Sequence, residues 1–434
     1  MVVVGLIGAG IFAREVHFQK WIDLAKSGSV EIAWTWSRSE GSSKILAEKY
    51  NKELGLSDED TATANGSGTG VDTHESDTKE SKSVSGDGGH IGSTKQESKK
   101  KAIPHCFGTD QLELILKERK GQNMEPNTLH AVCIALPITE QPDVCKMALD
   151  SCIHVLVEKP IGGSRDQACD MLVYYDKLAK ECKDASKPVP LYCIAENFRN
   201  EQAFLKASEW LKETDKFGKV LQLSLVAFMP HVKGNKFEQT EWRRDAEHIG
   251  GMLFDTGVHL AAAVRLLAGP DGANPKSVSA FVCKKSEHLP KVDSMVSIMQ
   301  MDNDVQVSMN VTFASATRRW ELRIIGEKGC ISLTRGQDPD GRMGYIMNAE
   351  YENKTNDKEN VFMPFSGVDT EIYSFSRLCE ALCMENKSID TLDGELQVFH
   401  ERLSPQQAFC DFALVEACLR SGESGASCVE PMCM

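Results

Sequence analysis

Residues 2–13 read Val2-Val3-Val4-Gly5-Leu6-Ile7-Gly8-Ala9-Gly10-Ile11-Phe12-Ala13, and the reading of this stretch decides the fold. Val2 to Ile7 is an unbroken apolar run of strand length, the pattern of a strand covered on both faces. It runs into Gly8-x-Gly10-x-x-Ala13, a spacing that suits a strand-to-helix turn. Beyond it, Phe18, Trp21, Ile22 and Ala25 recur at helical spacing within residues 10–27. Val30 to Trp36 reads as a second strand, and a helix follows near 39–50. Two strands joined by a helix form a βαβ unit, whose crossover is right-handed.

In that context the glycines have separate duties. The first permits the tight turn, the second lets backbone approach a pyrophosphate, and Ala13 allows close helix–strand packing. The helix N-terminus then offers free amides and a partial positive charge to phosphates. Gly8, Gly10, Ile11, Phe12 and Ala13 are therefore expected to bind a dinucleotide. Where a site built for NAD places an acid at the end of the second strand, this chain has Ser37-Arg38. Arg38 suits a 2′-phosphate, so the expected cofactor is NADP, with NAD as the alternative because Glu40 stands nearby.

The pattern continues with helices near 109–119 and 139–151 and apolar strands at 129–136 and 154–157. A long helix near 164–182 and a strand near 190–195 follow. This alternation predicts an α/β Rossmann domain with a mostly parallel sheet over residues 1–160. It is interrupted at about 55–103. There, residues 58–101 hold no aromatic residue and three large aliphatics, and Gly, Ser and Thr fill 20 of the 44 positions. Ordering such a stretch costs on the order of 40–90 kcal/mol, far beyond what three aliphatics offset, so a disordered insertion is expected. Residues 161–434 change character. Val305, Val307, Met309, Val311 and Phe313 alternate with other residues, as do Leu221, Leu223 and Leu225. Period-two runs near 278–283, 293–301, 320–326 and 330–334 predict an α+β domain with a large, mainly antiparallel open sheet. Helices are expected near 200–214, 250–268, 369–386 and 405–420, the last of them able to pack back on the first domain.

The net charge of −14 disfavours a general binder of nucleic acid or anionic membrane, which needs a basic surface. No apolar run approaches the length of a membrane span, and Val2–Val4 lacks the basic region that opens a secretory signal. The 15 cysteines form no CxxC pair and no cluster with zinc spacing, so no metal is expected and the thiols read as inert. A reduced, cytoplasmic protein is the expectation.

Two further motifs carry chemistry. Glu158-Lys159-Pro160 follows a strand, at the carboxyl edge where open α/β sheets place ligands. A lysine there can donate to a substrate oxygen. Within Gly250-Gly251-Met252-Leu253-Phe254-Asp255-Thr256-Gly257-Val258-His259, Asp255 and His259 are four apart and share one helix face. A carboxylate beside an imidazole fixes its tautomer and suits a proton shuttle.

Taken together, GLIGAGIFA (5–13), SRS (37–39), LP (136–137), HVLVEKP (154–160), AENFR (195–199), WRR (242–244) and GGMLFDTGVH (250–259) resemble the Gfo/Idh/MocA oxidoreductases. The resemblance implies hydride transfer between NAD(P) and a carbinol or carbonyl of a small polar substrate: a sugar, polyol, diol or aldehyde. It implies Lys159, Asp255 and His259 as catalytic residues. His259 would move the proton, Lys159 would polarise the oxygen, and Asp255 would hold the imidazole or bind substrate. Leu136, Pro137, Glu158 and Lys159 would meet the cofactor. Glu196 and Asn197 would lie near the nicotinamide, and Asn197, Trp242 and Arg243 would meet the substrate. His248 is a second acid–base candidate. Gln141 stands where such proteins often carry histidine. A homodimer or homotetramer through the second sheet is also implied. A catalytically silent nucleotide-binding regulator is the rival reading, but retention of Lys159, Asp255 and His259 together favours the enzyme.

Overall fold

β1 (Val2–Ile7) is buried at every position because it is hydrogen-bonded on both sides, to β2 (Val30–Ser37) and to β4 (Ala131–Ile134). That explains its lack of alternation. In the computed structural model, residues 1–56, 102–117, 129–234, 251–289, 291–351, 359–385 and 387–431 are described. The insertion expected at 58–101 lies outside them, as do Trp242, Arg243, His248 and Gly250.

The first sheet has six parallel strands in the order β3-β2-β1-β4-β5-β6, with β3 (His105–Phe107), β5 (His154–Glu158) and β6 (Tyr192–Ala195). Its helices are α1 (Phe18–Lys26), α2 (Glu40–Leu54), α3 (Thr109–Lys117), α4 (Gln141–Asp150) and α5 (Arg165–Asp184). Strand β6 pairs with β5, so the sheet extends past the boundary drawn at residue 160 and ends at Ala195. The Asn51 side chain clamps Ile103: its Oδ1 accepts from the Ile103 amide at 2.7 Å and its Nδ2 donates to the Ile103 carbonyl at 3.1 Å.

A 3₁₀ turn (Asn197–Asn200), α6 (Gln202–Lys212) and α7 (Thr214–Phe217) lead to β7 (Val220–Phe228). Then come α8 (Gly251–Leu267), β8 (Pro275–Cys283), β9 (Ser294–Met301), β10 (Gln306–Thr312), β11 (Arg319–Gly326), β12 (Gly329–Gln337), β13 (Met343–Tyr351) and β14 (Glu359–Pro364). These eight strands form one sheet in the order β14-β13-β12-β11-β7-β10-β9-β8, antiparallel except for the parallel pair β7–β10. The alternation read from 305–313 has its physical basis here: Val307, Met309 and Val311 are buried, while Ser308 and Asn310 face the other side.

Three closing helices, α9 (Gly367–Cys383), α10 (Gly394–Arg402) and α11 (Pro405–Glu423), join the two units. Ile372, Phe375 and Leu378 of α9 share one apolar core with Val2, Val4 and Leu6 of β1. α11 packs on α8, and Gly257 permits the approach, since a Cβ there would press on Val415. Asp411 of α11 accepts from both Arg199 and Arg265, a buried pairing that ties α11 to the 3₁₀ turn and to α8. Among the described residues no helix is long and apolar enough to cross a membrane.

Candidate active site

Gly8 has φ of +106°, and a Cβ there would strike the Ala135 carbonyl, so the turn after β1 requires glycine. Its amide donates to the Trp36 carbonyl at 2.9 Å, which fixes the turn against β2. Gly10 is exposed and a Cβ there would meet nothing within 4 Å, so the space beside it is open. The helix begins at Ile11, and its first-turn amides have no intrahelical acceptor. An open cradle at a helix N-terminus fits a dinucleotide pyrophosphate. Ile11 and Phe12 are half-buried and Ala13 is buried.

Ser37 closes β2. The Arg38 side chain is 65% exposed and donates to Glu140 Oε1 at 2.6 Å. Leu136 and Pro137 form a half-buried loop after β4, and Gln141 steadies it by donating from Nε2 to the Leu136 carbonyl at 3.0 Å. The residue in the histidine position thus has a local backbone partner.

Lys159 follows β5, and its peptide bond to Pro160 is cis. Its Nζ donates to Asp255 Oδ1 at 2.8 Å and to the Asp255 carbonyl at 2.7 Å, joining the carboxyl edge of the first sheet to α8. One helical turn on, His259 Nδ1 lies 2.6 Å from Glu196 Oε1, and its ring stacks on Phe198 with centroids 5.0 Å apart. The shared face of Asp255 and His259 is real, but their partners differ from those the spacing suggested. Asp255 holds the lysine, and the imidazole is held by Glu196. The reason is geometric: residues four apart on a helix lie side by side, while Glu196, just past β6, meets the ring end-on. Burial works to raise the Glu196 carboxyl, yet the His259 and Lys159 charges and hydrogen bonds from His259 and the Phe198 amide hold it below its usual value. Asn197 Oδ1 is buried without a hydrogen-bond partner. Such an atom is costly unless something meets it.

A second cluster stands behind Lys159. The glycine-turn helix passes through a π-helical turn (Ala13–His17), which places His17 inward. His17 Nε2 lies 2.8 Å from Glu158 Oε1, and Nδ1 lies 3.7 Å from Cys133 Sγ. His17, Glu158 and Glu371 each bring a polar atom within 4.8 Å of the others. One oxygen of the Glu158 carboxylate is therefore engaged by His17. Neither His17 nor Glu371 was legible as a site residue, because a histidine on an ordinary helix and a glutamate far along the chain carry no motif.

Comparison with known proteins places the fold in a family. Residues 95–183 match the family model "Oxidoreductase family, NAD-binding Rossmann fold" and residues 204–332 match the "GFO/IDH/MocA C-terminal domain", together half of the chain. The chain is 25% identical over 428 residues to a dehydrogenase, FPY6, of Fusarium mangiferae, covering 98% of each. The fold is shared with an oxidoreductase from Thermotoga maritima (TM-score 0.66, 22% identity, 99% of this chain and 98% of that one). It is shared also with an aldose–aldose oxidoreductase from Caulobacter crescentus (TM-score 0.66, 15% identity, 99% of each chain). With two family domains matched in order and a relative aligned from end to end, the chain belongs to the Gfo/Idh/MocA family and is an oxidoreductase with an NAD-binding Rossmann domain.

Proposed function

We propose that the protein is an NADP(H)-dependent oxidoreductase that transfers hydride between the nicotinamide and a carbinol or carbonyl of a small polar substrate such as a sugar, polyol, diol or aldehyde. The observation that carries this is the convergence of Lys159, from the first domain, on Asp255 in α8, one turn from a carboxylate-held His259. Held at the turn from Gly8 to Ala13, the nicotinamide dinucleotide supplies the hydride acceptor or donor. The protein supplies the rest. With Nδ1–H donated to Glu196, His259 keeps Nε2 as an acceptor for the substrate hydroxyl proton. As hydride leaves the carbinol carbon, that proton passes to Nε2 and the C–O bond becomes a carbonyl. Reduction runs the same steps in reverse. Lys159, oriented by Asp255, donates to the reacting oxygen and stabilises its negative charge. Asn197 Oδ1 offers an acceptor to a substrate hydroxyl; Trp242 and Arg243, which lie outside the described residues, remain substrate contacts on the family resemblance alone.

Preference for the phosphorylated cofactor rests on Arg38. Its exposed pair with Glu140 is worth at most about 1 kcal/mol, so a 2′-phosphate with nearly two charges displaces it. The substrate class follows the family, and the Caulobacter neighbour, an aldose–aldose oxidoreductase, is consistent with it. The outer face of the second sheet exposes Phe281, Val296 and Ile298, which supports a homodimer or homotetramer through that face, and the cytoplasm is the proposed compartment. The test is a panel of sugars, polyols, diols and aldehydes with NADP(H) and NAD(H), followed at the nicotinamide absorbance with wild type and Lys159→Met. Substrate-dependent turnover that falls in the variant is expected. Turnover equal in both sinks the assignment.

A further inference from the structure

Along β12 the side chains facing the helices are Ile331, Leu333 and Arg335. The first two are fully buried apolar residues. Arg335, third in the column, opposes Tyr345 of β13 at the end of the sheet that carries Trp320 of β11. A guanidinium here breaks the pattern of the face, and a cation turned inward costs free energy unless its charge and donors are met.

The charge is met by rings. Arg335 Cζ lies 5.4 Å from the centroids of Trp320 and Phe365 and 5.8 Å from those of Phe198 and Tyr345. The donors are not. Of five N–H groups, one reaches Tyr345 Oη at 3.4 Å, and Nε is buried without an acceptor. Among the described residues no carboxylate lies within 4 Å of Arg335. The neighbouring carboxylate, Glu201, is occupied: it accepts from the Ser366 amide and hydroxyl and from the Gly367 amide. The residue remains partly open to solvent, so a small molecule can reach it.

The place of this guanidinium gives it a use. Phe198, one ring of the cage, is the ring on which His259 stacks. Arg335 and the proposed proton carrier therefore both contact Phe198, two ring contacts apart. We infer that Arg335 is an oxyanion-recognition site in the substrate pocket, and that the substrate carries a carboxylate or phosphate several bonds from the carbinol that reacts. The planar fork of arginine matches both groups in a bidentate manner, whereas a neutral polyol leaves its donors unmet. The aromatic cage holds the fork in place and excludes water from one side, which strengthens the pairing. This inference rests on the oxidoreductase reading above and narrows its substrate class to hydroxy acids and phosphates of sugar size.

The test compares acids with neutral counterparts: gluconate with glucitol, glucuronate with glucose, and glucose 6-phosphate with glucose. Wild type, Arg335→Met and Arg335→Lys are followed at the nicotinamide absorbance. Met preserves packing in the cage, and the thermal melt verifies folding. Wild type is expected to favour the acids or the phosphate. Arg335→Met should raise KM for the favoured anion about a hundredfold more than for its neutral partner, the scale of a charge-assisted bidentate contact, with partial recovery in Arg335→Lys. Which anion wins separates carboxylate from phosphate. In parallel, gluconate, glucose 6-phosphate and sulfate are titrated against thermal stability with NADPH present. Anion protection in wild type that vanishes in Arg335→Met is expected. Equal use of acids and neutrals by wild type, or equal KM losses for both in Arg335→Met, overturns the site. Anion protection that depends on Arg335 without any substrate turnover keeps the site and refutes the oxidoreductase reading, so the two failures are distinguishable.

Discussion

His17 Nε2 and Glu158 Oε1 stand 2.8 Å apart in the interior, so the helix that follows the glycine turn is tied to the residue immediately before Lys159. The pair links the cradle expected to hold phosphates with the lysine of the cleft. Burial works against a charge on His17, but its contacts with Cys133 and Glu158 outweigh this and raise it well above the ordinary value of 6.5. Burial and the Glu158 charge push the Glu371 carboxyl up over the same cluster.

Both groups hold protons more tightly folded than unfolded. Their contribution is therefore greatest at low pH. For His17 it is complete below 6.5 and is lost as pH rises through the folded-state value. Urea midpoints between pH 6 and 9 should fall with pH in wild type and fall less in His17→Gln. Parallel slopes would refute the linkage. His17→Leu removes the partner of the buried Glu158 side chain and should cost about 3–5 kcal/mol of unfolding free energy, the scale of a broken buried pair.

The contact between Glu196 and His259 makes a different prediction, read in turnover. Glu196→Gln removes the charge that fixes the tautomer with Nε2 free and that favours the imidazolium formed when the proton arrives. We expect kcat to fall roughly tenfold to a hundredfold with KM little changed. His259→Ala should cost about 10²–10⁴ in turnover. A kcat unchanged in Glu196→Gln, or a loss confined to KM, would detach the carboxylate from the proton transfer.

Arg38→Ala should weaken NADPH by about tenfold to a hundredfold and NADH far less, since it removes a charge-assisted partner of the 2′-phosphate alone. Glu140→Ala, which frees Arg38 from its 2.6 Å pair, should tighten NADPH modestly. Fluorescence titration of both reduced cofactors checks this. Equal losses for the two cofactors in Arg38→Ala would mean that the guanidinium does not face the adenosine ribose.

What the sequence made legible follows from where information is local. β1, the Gly8–Ala13 turn and the HVLV strand were readable because buried parallel strands are apolar throughout and the turn needs glycine at fixed offsets. The pairing of Lys159 with Asp255 spans 96 positions, and that of His259 with Glu196 spans 63; spacing cannot express either. β13 and β14 escaped notice because Gly344 and Asn348 interrupt one run and the other, Glu359–Pro364, opens on Glu-Asn and closes on Pro around only three apolar residues. β3 is shorter still, three residues paired only with β2. Arg335 escaped for the opposite reason: a charge in an alternating strand reads as solvent-facing, and only the register with Tyr345 turns it inward.

The last prediction concerns the outer face of the second sheet. Phe281 of β8 pairs across to Val296 of β9, and Ile298 stands two residues along on the same face; the three are 71%, 53% and 62% exposed. Apolar residues clustered this way on an open sheet leave surface that association would bury. Their flanks are polar and uncharged, with Ser279 opposite Ile298 and Ser308 opposite it on the other side, which suits close contact between like faces. Ile298→Asp places a charge at the centre of that patch. In a symmetric dimer each copy brings the charge to the same contact, so the penalty is doubled. The side chain is outside the protomer core, so the thermal melt of each protomer should change little, while light scattering on a sizing column should show a shift from oligomer to monomer. An unchanged mass for Ile298→Asp, or a wild type that is monomeric at micromolar concentration, would remove this face as the assembly surface.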